Sequence, residues 1–182
     1  MHELQSRFRV IQGFPRSFKK GDGVSIILTS SSKLSDTERQ LSSTLYEHGV
    51  DDKGFAIVRS RGDNALFGDF STKQMKERLG IKGSRALADF LPTVTLKAKE
   101  FAAAITDFNV RKLNIKGVQP IGDEHVRNNK DVRAVLAKSN IMPEDLPAEE
   151  DIQKLERRVT SQDKKLLKTE GGLKRLDVAD AS

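Results

Sequence analysis

Over the second half of the chain, apolar residues recur at helical spacing. Leu96, Phe101, Ala104, Ile105, Phe108 and Leu113 predict a long helix from Thr93 to about Asn114. Val126, Val132, Val135 and Leu136 predict another from Asp123 to Lys138. Met75, Leu79 and Ile81 mark a short helix, and Ala86, Leu87, Phe90 and Leu91 a second. Ser35 followed by Glu38 has capping-box spacing and opens a helix through Leu41, Leu45 and Tyr46, closed by Gly49. Elsewhere the pattern is β-like. Val24 to Leu28, between Gly21, Gly23 and the loop Thr29–Ser32, reads as a short buried strand. Phe55–Val58 and Ala65–Phe67 flank Arg61-Gly62-Asp63-Asn64 and predict a small hairpin, with Arg-Gly-Asp as its turn rather than an adhesion signal. Pro143 and Pro147 force an extended connector over Met142–Pro147. The expected class is mainly α with a small β-hairpin or minor sheet (α+β), a helix-turn-helix-like corner and a C-terminal amphipathic helix.

In the tail, Ile152, Val159, Leu166 and Leu173 fall seven apart, while their companions Leu155, Gln162, Thr169 and Leu176 are half polar. This partial heptad, with Ile152, Leu155, Val159, Leu166 and Leu173 as its apolar row, suits either a homodimer through the tail helix or an amphipathic helix lying on its own domain or a partner. Gly171-Gly172 interrupts the last heptad and favours the second reading. The chain divides into an N-terminal segment 1–34 of open role, a core 35–150 and a helical tail 151–182.

Charge sharpens this picture. The formal excess of +6 matches that of residues 71–116 alone, which carry ten basic and four acidic side chains. Such a block suits a polyanion. Cys is absent, which excludes disulfides, thiolate nucleophiles and Cys-ligated metals. No apolar run approaches a membrane span and no signal-type N-terminus is present, so the expectation is a cytoplasmic protein, nucleoid-associated if it binds DNA, with no membrane partner.

Catalytic constellations are thin. His2, His48 and His125 share no metal-ligand spacing, and no nucleophile elbow or Gly-Lys-Ser/Thr triplet occurs. Asp51-Asp52 and Glu149-Glu150 sit where capping explains them, and Glu144-Asp145 has no such account. The expectation is no enzyme, no cofactor and no metal. The best functional signal is the stretch Thr72 to Leu87, where a helix ending in Leu79-Gly80-Ile81 and restarting at Ser84 resembles a helix-turn-helix. It would offer Lys73, Lys76, Arg78, Lys82, Ser84 and Arg85 to single-stranded or duplex DNA, with Lys97, Lys99, Arg111, Lys112 and Lys116 of the next helix as phosphate contacts. Against it, Asp89 stands where that motif wants an apolar residue, and an ordinary helical corner explains the same residues.

Three stretches resemble the C-terminal portion of the bacterial DNA-damage-inducible protein D family, over about residues 35–160. The first is Gly54–Val58 with Asn64–Gly68 and Arg78–Ile81, and the second runs from Ala88-Asp89-Phe90-Leu91 to Phe101-Ala102-Ala103. The third and most specific is His125-Val126, Asp131-Val132-Arg133 and Met142-Pro143-Glu144-Asp145-Leu146-Pro147, leading to Ile152–Glu156. The chain departs from the family in lacking its antirepressor-like N-terminal domain, and in Thr106–Lys116, where the family has a polar pattern. The resemblance implies a non-enzymatic role in the SOS response to DNA damage, exerted on DNA or on a RecA-type recombinase filament. The alternative is a protein–protein inhibitor, antitoxin-like or a phage or mobile-element anti-defence factor, acting on another host protein without nucleic acid.

Overall fold

Helix α1 (Lys20–Glu47) runs unbroken for 28 residues. The computed structural model describes residues 20–161, with side chains from Ile26 onward. α1 absorbs the run expected as a strand, the Thr29–Ser32 loop and the Ser35 capping site. Its buried positions, Ser30, Leu34, Leu41, Thr44 and Leu45, keep helical spacing. The Ser30 hydroxyl donates to the Ile26 carbonyl at 2.8 Å, which satisfies a polar group inside the helix. Burial of a continuous face thus overrides local β propensity, and Ser35 is an exposed mid-helix residue.

The expected hairpin is also a helix, α2 (Asp52–Leu66), capped by Asp51, whose carboxylate accepts from the Gly54 amide at 2.8 Å. Arg61-Gly62-Asp63 is therefore not a turn but the third turn of a helix. Gly62 is buried because α5 presses against it; a Cβ there would lie 2.2 Å from His125 Cδ2. Such close packing offsets glycine's helix penalty of about 1 kcal/mol. The α+β expectation is overturned, since the described residues contain no strand.

α3 (Thr72–Arg78) opens on a Ser71–Gln74 capping box, and Gly80, at φ 65°, ends it. The expected second helix of the corner is a single 3-10 turn, Leu87–Phe90. Pro92 holds Leu91 extended and stops it there, so no helix-turn-helix forms. α4 (Thr93–Leu113) matches its expected span and closes on Asn114 in the left-handed region. Gly117, at φ 84°, turns the chain into α5 (Val118–Lys138), five residues earlier than expected. The Pro-flanked connector carries a 3-10 turn, Pro143–Asp145, and α6 occupies residues 152–161 of the described chain.

Two helical hairpins stack. α1 lies parallel to α4, with Leu34 and Leu96 in one apolar cluster and Thr44 bonded to Asp107. α2 lies parallel to α5, Gly54 meeting Val118 and the Leu66 carbonyl meeting Arg133. α4 and α5 are antiparallel neighbours, whereas α1 and α2 barely touch. Leu34, Phe67, Met75, Leu87, Leu91, Leu96 and Ile152 form the core at one end. Leu41, Leu45, Val50, Val58, Val110 and Ile121 form it at the other.

Candidate functional site

Helix α4 is amphipathic in an unexpected sense. Its inward face carries Thr95, Lys99, Thr106 and Asp107 among small and aliphatic residues. Its outward face carries Phe101 and Phe108, 59% and 57% exposed, with Val94 and Ala104 also exposed. Positions 94, 101 and 108 repeat every two turns and so form one stripe. Of the apolar positions that predicted this helix, Leu96 is buried and Ile105 half-buried, while Phe101, Ala104, Phe108 and Leu113 face solvent. Lys112 stands over the Phe108 ring at 5.5 Å from its centroid.

Behind that stripe runs a buried polar seam. Lys99, 6% exposed, donates to Asp63 of α2. Thr44 donates to Asp107 at 2.6 Å, and Arg111 pairs with the same carboxylate. Thr106 donates to the Ala102 carbonyl at 2.8 Å and accepts from Asn128 at 3.0 Å. Its remaining lone pair faces His125 Nδ1 at 2.8 Å, while Asn129 Nδ2 approaches His125 Nε2 at 3.3 Å. This network assigns a neutral ring protonated on Nδ1. Burial first, and then the Lys99 charge, push the His125 pKa down to about 4, with Asp63 opposing. Protonation would also set an Nε2–H against the Asn129 amide, donor against donor. Burial pushes the Glu124 carboxyl up, but bonds from Asn109, Asn128 and Arg127 outweigh it and hold it below its ordinary value.

The basic residues expected to meet DNA are divided by the fold. Lys97 pairs with Glu100 at 2.6 Å, Arg78 with Asp145 at 2.6 Å, and Lys73 with Glu77 at 4.0 Å. Arg85 is held by Asp89 and Asp151, and Lys99 and Arg111 serve the seam. Lys76 is half-buried, while Lys82, Ser84, Lys112 and Lys116 are exposed. Those exposed groups do not share an element: Lys82 and Ser84 lie between α3 and the 3-10 turn, Lys112 near the end of α4, and Lys116 in the loop after it.

The connector explains its own carboxylates. Arg133 grips Glu144 through both terminal guanidinium nitrogens, at 2.6 and 2.5 Å, and donates to the Leu66 carbonyl at 2.9 Å. Those bonds hold the Glu144 carboxyl below its ordinary value against the effect of burial. Arg78 donates to the Glu144 carbonyl at 2.9 Å, so the connector ties α2, α3 and α5 together. In the tail, Ile152 and Leu155 are buried, Ile152 within the protein's own core, and Val159 is half-buried. Leu166 and Leu173 lie outside the described residues.

The tight interlock of residues 54–68, 125–133 and 142–147 joins the stretches that carry the sequence resemblance into one packed unit. Residues 27–155 match the DinD C-terminal domain. The chain belongs to the DinD C-terminal domain family. It is also 26% identical over 136 residues to DNA damage-inducible protein D of Escherichia coli (strain K12), an alignment covering 73% of this chain and 50% of that protein. The chain thus spans about half the length of that relative. In this DinD-type domain the seam residues Asp63, Thr106, Asn128 and Asn129 escaped sequence reasoning. Asp63 read as part of a turn, and the signal for Thr106, Asn128 and Asn129 was polar positions recurring at helical spacing along α4 and α5, which resembles a solvated face. Among the described residues no helix is long and apolar enough to cross a membrane.

Proposed function

We propose that this chain is a non-catalytic binding protein of the DNA-damage response, and that it docks through the outward face of α4 onto protein, a RecA-type recombinase filament, rather than onto bare DNA. The observation that carries this is the pair Phe101 and Phe108, exposed one heptad apart, with Val94 and Ala104 also exposed on that outward face. Aromatic side chains dominate interface energetics. Completing their burial is worth about 2–4 kcal/mol for the two rings together. Lys112 beside Phe108 supplies a cationic rim to that face. The DinD membership and the name of the E. coli relative support the damage-response context. Self-neutralisation of Arg78, Arg85, Lys97, Lys99 and Arg111 speaks against a phosphate-tracking surface. A filament partner would place the protein with the nucleoid.

The test is co-sedimentation with recombinase assembled on single-stranded DNA, set beside anisotropy on bare oligonucleotides. Expected is filament binding that changes little between about 50 and 200 mM salt and is weakened at least about tenfold by Phe101→Ser with Phe108→Ser. Equal binding to bare DNA with a steep salt slope would overturn the protein-docking reading in favour of contacts by residues such as Lys82, Lys112 and Lys116.

A further inference from the structure

A groove of about 310 Å³ lies between α2, α3, the segment 86–91 and α4, on the side of α4 that bears Lys99 and not on the Phe101 side. Arg59 and Ser60 of α2 and Thr72 and Lys76 of α3 line it, with apolar surface from Phe55 and Leu87. We propose that this groove binds a short acidic segment of a protein partner, one carboxylate held by Arg59 and Lys76 and a neighbouring apolar side chain laid against Phe55 and Leu87. This surface is separate from the α4 stripe and does not rest on it.

Charge complementarity carries the argument. Lys76 is half-buried, yet no carboxylate among the described residues lies within ion-pair distance of it. A lysine of this exposure lays its methylene stem along the groove wall and keeps its ammonium at the rim, where an incoming carboxylate would supply the missing counter-charge. Arg59 spends one nitrogen on Glu38, at 3.1 Å, so the rest of its planar donor fork is available for a bidentate contact. Lys99 at the floor is already neutralised by Asp63, leaving Arg59 and Lys76 as the recognising pair. The hydroxyls of Ser60 and Thr72 add hydrogen-bonding capacity at the same rim. A single-stranded nucleic acid fits less well, because such sites combine a track of cations with several stacking rings. Here the aromatic lining is Phe55 alone, and Ala56, Ala86 and Ala88 make the remaining walls small. The volume is that of a small-ligand pocket, enough for a few side chains.

The probe is a fluorescein-labelled hexapeptide alternating Asp and Leu, titrated into the full chain by anisotropy and by amide-resolved NMR. Expected are shifts at the amides of Ser60, Thr72 and Ala86, binding weakened at least about tenfold in Arg59→Glu with Lys76→Glu, and unchanged binding in Phe101→Ser with Phe108→Ser. The milder Lys76→Met, checked by thermal melting, separates loss of contact from loss of fold. Absence of peptide binding, shifts confined to the outward face of α4, equal binding by a Lys-for-Asp peptide, or full displacement by oligo-dT would each overturn the proposal.

Discussion

Lowering the pH should unlock the polar seam through one residue, His125. Its pKa falls from the ordinary 6.5 to about 4 in the folded protein. The unfolded chain therefore binds the proton more tightly. Stability from this group is fully present above about pH 6.5, declines as the pH falls, and is lost by about pH 4. The depression corresponds to about 3 kcal/mol, or a slope of ~1 kcal/mol per pH unit across the window. Lys99 of α4 and Asp63 of α2 are the charged groups closest to the ring's environment, and Glu38 and Arg59 line the same small cavity. The carboxylates held below their ordinary values, Glu124, Glu144 and Asp151, lose their stabilisation only at the acid end of this range. Urea unfolding followed by far-UV circular dichroism at half-unit steps from pH 7.5 to about 4.5 would measure the profile. His125→Gln, which cannot take up the proton, serves as the reference. Wild type should lose about 2–3 kcal/mol more than the variant over that range. Parallel profiles, or an imidazole that titrates near its ordinary value by NMR in the folded protein, would refute the reasoning.

Two further predictions concern packing. Gly62→Ala should destabilise by about 2 kcal/mol despite alanine's better helix propensity, because its Cβ would fall 2.2 Å from His125 Cδ2 and 2.8 Å from Asn129 Nδ2. Gly122→Ala, which meets only the flexible end of Arg61 at 2.5 Å, should cost under about 1 kcal/mol, and equal midpoints for the two in chemical denaturation would contradict the α2–α5 contact. Arg133→Lys should cost about 2 kcal/mol by losing the two-pronged grip on Glu144 and the bond to the Leu66 carbonyl, with an unchanged thermal midpoint as the opposing result.

The Met142–Pro147 motif shows what a local pattern reveals and what it withholds. Its prolines announced a break between helices, and the break is there. The purpose of Glu144 and Asp145 was invisible, because their partners Arg133 and Arg78 lie 11 and 67 residues away. The same holds for Arg85, which read as a DNA contact of a helix-turn-helix-like corner and instead bridges Asp89 and Asp151. Sequence blocks count charges, but only proximity tells which ones are already neutralised.

In the second half, α4 and the end of α5 were legible because chemistry within a few residues bounds them, Pro92 and Asn114 for α4 and the Ser139–Asn140 turn for α5, whereas the start of α5 after Gly117 was read five residues late. In the first half the local signals misled. Val24 to Leu28 has strand propensity, and Arg61-Gly62-Asp63-Asn64 has turn chemistry, yet both lie in helices: α1 continues into a buried face at Ser30, Leu34 and Leu41, and in α2 Gly62 and Asp63 are themselves part of the buried face. Orientation was the part that the tertiary structure alone decided. α4 carries two stripes, one with Phe101 and Phe108 and one with Thr95, Ala102, Ala103 and Thr106, and hydrophobicity favours burying the first. Small residues win instead, because α1 and α5 approach closely there and Lys99, Thr106 and Asp107 find partners on three neighbouring helices. A side chain's propensity is local, whereas satisfaction of a buried polar group depends on what arrives from elsewhere in the chain.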